Sequence, residues 1–190
     1  MKATRYAEGS VRLPRRLSPW RQLTGGEPTA RLRGLIPNLM AAFMAAVFLD
    51  SLRYKFTDHP KTQVIFGRLD AWSGSIGLPG LFAHTGLFSQ YVIGSIELLA
   101  SSLLILGLLP RLRHLQAAGA LAGLLVMSGA VSFHLFTPLS IDPNNDGGGL
   151  FAAACTNLAF AVVLLAGFRR RELADFTRRA AVVFAPASAG

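Results

Sequence analysis

Four long apolar blocks constrain the fold of this chain more than any other feature of its sequence. Each block has 18 or 19 residues, and an α-helix of that length covers about 27–29 Å. The apolar core of a bilayer is about 30 Å thick, so each block can cross it as one helix. The sequence therefore predicts an all-α integral membrane protein, a four-helix bundle whose spans are residues 35–52, 91–109, 115–133 and 150–168.

Basic residues flank these blocks and are absent from their centres. The net charge of +9 is therefore explained by anionic lipid headgroups, and nucleic acid is not expected as a partner. Fifteen of the 19 Lys and Arg residues lie in the two tails and the second connection, and the other four lie in the first connection. Since cytoplasmic segments carry the excess of Lys and Arg, both termini are predicted to be cytoplasmic.

The segments outside the spans differ in character. Residues 1–34 are a basic tail predicted to be disordered, and residues 169–190 are a second basic tail. Residues 53–90 mix aromatic residues with glycines and never run apolar for 18 residues. A partly structured outer loop with an interfacial or re-entrant stretch is therefore expected there, and not a fifth span.

Small motifs narrow the chemistry further. Gly119 and Gly123 in the third block form a small-x-x-x-small pattern, which predicts close approach of neighbouring helices. Cys155 is the single cysteine, so neither an intrachain disulfide nor a zinc cluster can be built. The four histidines have no metal-ligand spacing and no nucleotide-binding or hydrolase motif occurs, so no metal, haem or nucleotide is expected.

Polar residues gather at the predicted outer end of the bundle. Glu97 lies about 9 Å into the second span, and an ionisable residue within a span is a functional candidate. His134 closes the third span at the same end, so Glu97 and His134 are the candidate catalytic groups for proton exchange. Lys55 and Arg53 after the first span, and Asp146 before the fourth, are candidate cofactor-binding residues.

Each of these residues also has a structural interpretation. Glu97 can form an ion pair with Lys55 or Arg53 that fixes the first helix to the second. His134 can simply lie at the level of the headgroups. Asp146 can cap the fourth helix, because Asp accepts hydrogen bonds from backbone N–H groups that lack partners.

Three stretches of the sequence resemble the DoxX family of small bacterial membrane proteins, within a likeness that covers about residues 35–171. They are YKFTDHP at 54–60, GSIELLASSLLILGLLPR at 94–111 and SFHLFTPLSIDPNNDGGGLF at 132–151. The resemblance implies a four-helix bundle in which Lys55, Glu97, His134 and Asp146 occupy the family's recurring polar positions.

The same resemblance implies a type of activity. The family's namesake is a membrane subunit associated with thiosulfate oxidation that passes electrons to quinone, together with a second subunit. The resemblance therefore implies a quinone as cofactor, a partner subunit at the outer loops, and a location in the plasma (inner) membrane of a bacterium. This chain departs from relatives that handle disulfides, because it has no pair of cysteines.

Three functions follow as hypotheses. The first is the membrane subunit of a quinone-linked redox (oxidoreductase) system, with the quinone in the outer pocket. The second is a non-enzymatic membrane anchor or scaffold, whose docking face would be the aromatic residues of the outer loop, Phe66, Trp72, Phe82 and Phe88. The third is a small-solute or proton transporter, which needs a polar path through the inner halves of the spans.

The inner halves offer few polar residues for such a path. They are Asn38, Ser101, Ser102, Gln116 and Asn157. Since the polar residues gather at one end of the predicted bundle, the redox subunit ranks first, the scaffold second and the transporter third.

Overall fold

A computed structural model describes residues 28–184, and all of their regular structure is helical. Contacts divide the chain into Met1–Gly34 and Leu35–Gly190, and the packing described below belongs to the second unit. The helices are α1 (Pro28–Lys55), α2 (Pro60–Ser75), α3 (Gln90–Leu106), α4 (Arg113–Phe136), α5 (Gly149–Val163) and α6 (Arg170–Phe184). A 3₁₀ turn, Pro110–Leu112, precedes α4, and a π-helical turn, Leu164–Phe168, extends α5.

Membrane-spanning potential is confirmed for three of the four predicted spans. Gly34–Lys55, Pro110–Phe136 and Gly149–Phe168 are each long and apolar enough to cross a membrane. Helix α3 is also apolar, but it has 17 residues where the sequence predicted a span of 19.

The early end of α3 has a local cause. Its last residue is Leu106, and Gly107 caps it by donating its N–H to the carbonyl of Leu103 at 2.9 Å. A Cβ at Gly107 would lie 2.5 Å from Cγ of Gln116, so only glycine fits where the chain turns towards α4. Pro110 then begins the 3₁₀ turn.

The N-terminal boundary also differs from the prediction. Helix α1 begins at Pro28, so residues 28–34 are helical and not part of a disordered tail. The prediction of disorder for residues 1–27 lies outside the described part of the chain. Pro37 therefore stands in the interior of α1 and not in its first turn, a position that membrane helices tolerate.

The main core joins four helices. It combines alanines with larger apolar side chains, among them Ala41, Met44 and Phe48 of α1, Ala100 and Leu104 of α3, Ala120 and Met127 of α4, and Ala154 and Ala161 of α5. The predicted role of the two glycines in α4 is confirmed. A Cβ at Gly119 would lie 2.9 Å from the carbonyl oxygen of Ala100, and one at Gly123 would lie 3.0 Å from Cε of Met44.

The segment 53–90, predicted to be a partly structured outer loop, contains a full helix, α2. Pro60 occupies its first turn, and the His59 side chain accepts a hydrogen bond from the N–H of Lys61 at 3.2 Å. Leu69 of α2 packs with Phe82 and Leu139 in a second, smaller cluster, against which Phe66, Trp72 and Phe133 lie. Helix α2 is thereby fixed across one end of the molecule.

Candidate functional site

A cavity of about 840 Å³ lies at the end of the helices that carries Lys55, Glu97 and His134, which we call the outer end. Its walls are mostly apolar and come from α1, α3, α4 and α5, while α2 and the segment after it supply Ile65, Phe66 and Phe82. The polar lining residues are Asp50, Ser51, Tyr54, Lys55, Lys61, Thr62, Glu97, His134, Asn144 and Asp146. The size and lining suit an amphipathic molecule larger than water.

An ion pair between Lys55 and Glu97 forms part of the cavity wall. The ammonium Nζ of Lys55 donates to Oε1 of Glu97 at 3.0 Å and to Oε2 at 2.9 Å, and it also contacts the hydroxyl of Ser51. The side chains are 13% and 3% exposed. This buried pair joins α1 to α3 and places two opposite charges in an apolar wall. Removal of either charge would leave the other buried and unpaired, which is strongly unfavourable.

His134 is also buried, and one of its ring nitrogens is hydrogen-bonded within the protein. Its Nδ1 lies 2.6 Å from the carbonyl oxygen of Ser140, and because a carbonyl only accepts, Nδ1 carries the proton. In the neutral ring Nε2 is then the unprotonated acceptor, and no residue in the described range bonds to it. The ring packs at 5.5 Å from that of Phe151. Nε2 of His134 is therefore left as a hydrogen-bond acceptor.

Asp146 borders the cavity and also organises the turn before α5. Its carboxylate accepts hydrogen bonds from the N–H groups of Gly148 and Gly149, both at 3.1 Å, and of Leu150 at 3.3 Å. These bonds match the predicted capping role. Asp142 accepts from the N–H of Asp146 at 2.7 Å, and this bond lowers the pKa of Asp142 although partial burial opposes it.

Arg53 does not join the cavity, contrary to the expectation of a cofactor-binding role. It pairs with Asp50 at 2.9 Å, and its guanidinium lies 4.7 Å from the ring centre of Tyr54. Residues 53 and 55 lie about 200° apart around a helix, so they cannot both face α3. Lys55 lies seven residues after the buried Phe48 and three after Leu52, so it shares a helix face with these core residues. This spacing is the sequence signal that distinguishes Lys55 from Arg53.

The aromatic residues proposed as an outward docking face point largely inward. Phe82 is buried, and Phe66 and Trp72 are half-buried in the smaller cluster, while Phe88 is exposed. Helix α2, which forms one side of the cavity, was not predicted from the sequence. The helical spacing of Thr62, Ile65, Phe66, Leu69 and Ser73 was the signal for it.

Polar residues at the opposite, inner end of the helices bond to one another. The buried Gln116 donates to Oδ1 of Asn38 at 2.9 Å and accepts from Nη2 and Nε of Arg169 at 2.7 and 3.0 Å. Burial lowers the pKa of Arg169, although the negative charge of Glu172 opposes this. Ser101 bonds within its own helix, to the carbonyl of Leu98 at 2.9 Å.

Asn157 is the exception among these polar side chains. It is fully buried on α5, and neither its Nδ2 nor its Oδ1 has a hydrogen-bond partner among the described residues.

Comparisons with protein-family models, with curated proteins and with solved structures find no match for this chain.

Proposed function

We propose that this chain is the membrane-embedded subunit of a quinone-linked redox system of the DoxX type, with the quinone head in the outer cavity. In this proposal α1, α3, α4 and α5 form a four-helix bundle in the plasma membrane of a bacterium. Both termini lie in the cytoplasm, and the cavity faces the opposite side.

The lengths and charges of the segments support this topology. The 17 residues of α3 cover about 25 Å, at the lower limit for a membrane span. Lys and Arg are concentrated in the segments that the proposal places in the cytoplasm, and the connection between α4 and α5 has neither.

The observation that carries the proposal is the combination of the Lys55–Glu97 pair and His134 in one mainly apolar cavity. Apolar walls suit a flat ring, and the few polar groups can recognise its carbonyl oxygens. A volume of about 840 Å³ is within the range of small-molecule and cofactor sites.

The chain's own residues would bind and protonate the ligand. Reduction of a bound quinone to its quinol takes up two electrons and two protons. Lys55 Nζ would donate a hydrogen bond to a ring oxygen in place of the Ser51 hydroxyl. The Glu97 carboxylate and the unprotonated Nε2 of His134 would each accept a proton from water at the outer side and pass it to a ring oxygen. The electrons come from a reduced redox protein that docks at the outer side as the partner subunit.

The alternatives have weaker support. An anchor or scaffold needs an exposed docking face, and three of the four aromatic residues suggested for it are half-buried or buried. A transporter needs a polar path, and Asn38, Gln116 and Arg169 are bonded to one another at the inner end.

Quinone binding can be measured through Trp72. Its ring lies 6.3 Å from that of Phe133, which lines the cavity, and Trp20→Phe leaves Trp72 as the single tryptophan. We expect saturable quenching when decylubiquinone is titrated into this variant in lipid nanodiscs. Lys55→Gln and Glu97→Gln should each weaken binding by about tenfold or more, the effect of losing about 1.4 kcal/mol.

Arg68→Gln is the matched control, because Arg68 is an exposed cation on α2 outside the cavity lining. It should bind decylubiquinone as the parent does. If the pair variants do not reconstitute, His134→Gln serves instead, since glutamine can still donate to the carbonyl of Ser140. Absence of saturable binding by the parent, or equal affinity in the reconstituted variants, contradicts the proposal.

A further inference from the structure

The lining of the outer cavity changes character along the helices. Its polar side chains come from the outer halves of α1, α3 and α4 and from the segments between helices, including the start of α2. Nearer the middle of α1 and α4, every lining residue is apolar or glycine. We call six of these residues the apolar part of the cavity: Phe43, Ala46, Val47, Leu125, Val126 and Gly129. The cavity is therefore amphipathic, with its polar groups at one end.

The apolar part extends far from the polar groups. Phe43 precedes Lys55 by 12 residues of α1, which is about 18 Å along a helix. Leu125 precedes His134 by nine residues of α4, which is about 14 Å. Both Phe43 and Leu125 stand near the middle of helices that are long and apolar enough to cross a membrane. The cavity thus runs from the outer end to about half the length of these helices.

The apolar part also reaches the surface of the molecule. Leu125 is 68% exposed and Phe43 is 42% exposed, although both line the cavity. Ala46, which lines it as well, is also exposed. A side chain that faced only a closed cavity would not be exposed to this extent. The cavity therefore opens sideways, at positions that would contact lipid chains when α1 and α4 span a membrane.

We infer that the ligand of the outer cavity carries a hydrocarbon chain, which lies in the apolar part, and that the ligand enters sideways from the bilayer past Phe43 and Leu125. This inference rests on the proposed function and narrows its ligand class to lipid-soluble quinones with a long tail. The head reaches Lys55 and Glu97, and the tail leads from the head back towards the lipid.

The charges at the polar end favour an uncharged head over the phosphate of a phospholipid. Lys55 is already paired with the carboxylate of Glu97. Asp50 and Asp146 add two further carboxylates to the lining, and Lys61 adds one further cation. An anionic head would therefore meet like charges close by, which is unfavourable in apolar surroundings.

Gly129→Phe tests the inference by filling the apolar part. The nearest atom to an added Cβ at Gly129 is Cε2 of Phe133 at 3.7 Å, so a side chain has room to enter the cavity. A tail gains little by moving from lipid to an apolar wall, because both surroundings are apolar. The expected effect is therefore steric, since a bound head cannot keep its tail where the new ring lies.

Two ligands are titrated into this variant in nanodiscs, in the Trp20→Phe background. They are decylubiquinone and its tailless head, dimethoxymethylbenzoquinone. Gly129→Phe should raise the Kd of decylubiquinone by about tenfold or more relative to its effect on the tailless head, a difference of about 1.4 kcal/mol. Parent and variant are measured in the same lipid, so the partition of each ligand cancels. A general defect in folding would weaken both ligands alike.

Val162→Phe is the matched control. It adds the same ring at an exposed apolar position of α5 that does not line the cavity. Its affinities for the two ligands should equal those of the parent.

A photoreactive ligand gives a second readout on the parent chain, which decides the matter if Gly129→Phe does not reconstitute. Decylubiquinone with a diazirine at the end of its chain should label residues within 43–47 of α1 or 125–129 of α4. An excess of unmodified decylubiquinone should remove this label.

Equal changes in the two affinities of reconstituted Gly129→Phe, or a competable label found only elsewhere, overturn the inference and leave the proposed function standing. Absence of saturable binding of both quinones by the parent overturns the proposed function, and this inference with it.

Discussion

Asp58 shows how one residue can fix the outer end of the molecule. It occupies the turn between α1 and α2 with a φ of 52°, a left-handed conformation that Asp and Asn adopt more readily than most residues. Its carboxylate accepts hydrogen bonds from the Tyr91 hydroxyl at 2.7 Å and from the Gln90 amide at the start of α3. The bond from Tyr91 lowers the pKa of Asp58 below its ordinary 3.8, although partial burial opposes it, and Gln90 and His84 lower it further.

Asp58→Ala should lower the melting temperature at neutral pH by several degrees, because it removes the acceptor and the preference for positive φ. Asp58→Asn should cost less. A carboxyl whose pKa is lowered on folding stabilises the protein above its ordinary pKa, and that contribution disappears as pH falls through the folded value. The advantage of wild type over Asp58→Asn should therefore shrink below about pH 4.

Differential scanning fluorimetry in detergent, from about pH 7 down to about pH 3, measures this. Asp50→Asn is the control, because Asp50 is an exposed partner in a surface ion pair, which contributes little. A gap between wild type and Asp58→Asn that stays constant or widens in acid would contradict the explanation.

At the scale of elements, the approach of α4 to its neighbours depends on glycines that leave no room for a side chain. At Gly119 an added Cβ would meet three atoms of α3 at 2.9 Å, two of them backbone. At Gly129 of the same helix the nearest atom would be Cε2 of Phe133 at 3.7 Å, an ordinary contact. A comparison of alanine substitutions at these two positions therefore distinguishes the effect of helix propensity from the effect of helix packing.

Gly119→Ala should lower the free energy of unfolding by about 1–3 kcal/mol, because the backbones of α3 and α4 must separate. Gly129→Ala should be neutral or stabilising by about 0.5–1 kcal/mol, since alanine favours a helix. Unfolding in mixed micelles with increasing SDS provides the comparison. Equal effects of the two substitutions would show that α3 and α4 do not pack as closely as described.

The element boundaries also show where sequence reasoning succeeds. Long apolar blocks predicted α1, α4 and α5 well, because length and hydropathy are properties of the segment itself. The end of α3 at Leu106 was missed, because it depends on the space that Gln116 leaves for Gly107. Helix α2 was missed, because glycines and polar residues alternate with its apolar residues and make the segment look like a loop. Its apolar face is buried only through contact with Phe82 and Leu139.

At the scale of the whole molecule, the proposed orientation can be tested by labelling single cysteines. Cys155→Ala removes the natural cysteine, and Thr85 and His114 are exposed positions at the outer and inner ends. In intact cells, a membrane-impermeant maleimide should label Thr85→Cys nearly completely. It should label His114→Cys only after permeabilisation, because the proposed orientation puts the end with the excess of Lys and Arg in the cytoplasm.

The alanine variant alone should give no signal under either condition. The reverse pattern, with His114→Cys labelled in intact cells, would refute the proposed orientation and place the cavity on the cytoplasmic side.

The sequence by itself determined that this chain is helical and that it has apolar segments long enough to cross a membrane. It also indicated that Glu97 and His134 belong to one end of the molecule. These properties depend on residues close together in the chain, through helix rise, hydropathy and flanking charge. The tertiary structure decided that Lys55 and not Arg53 meets Glu97, because the rotation of α1 is set by the packing of Phe48 and its neighbours. It also left Asn157 buried without a partner among the described residues, since only the packing of α5 decides which of its side chains lose contact with water.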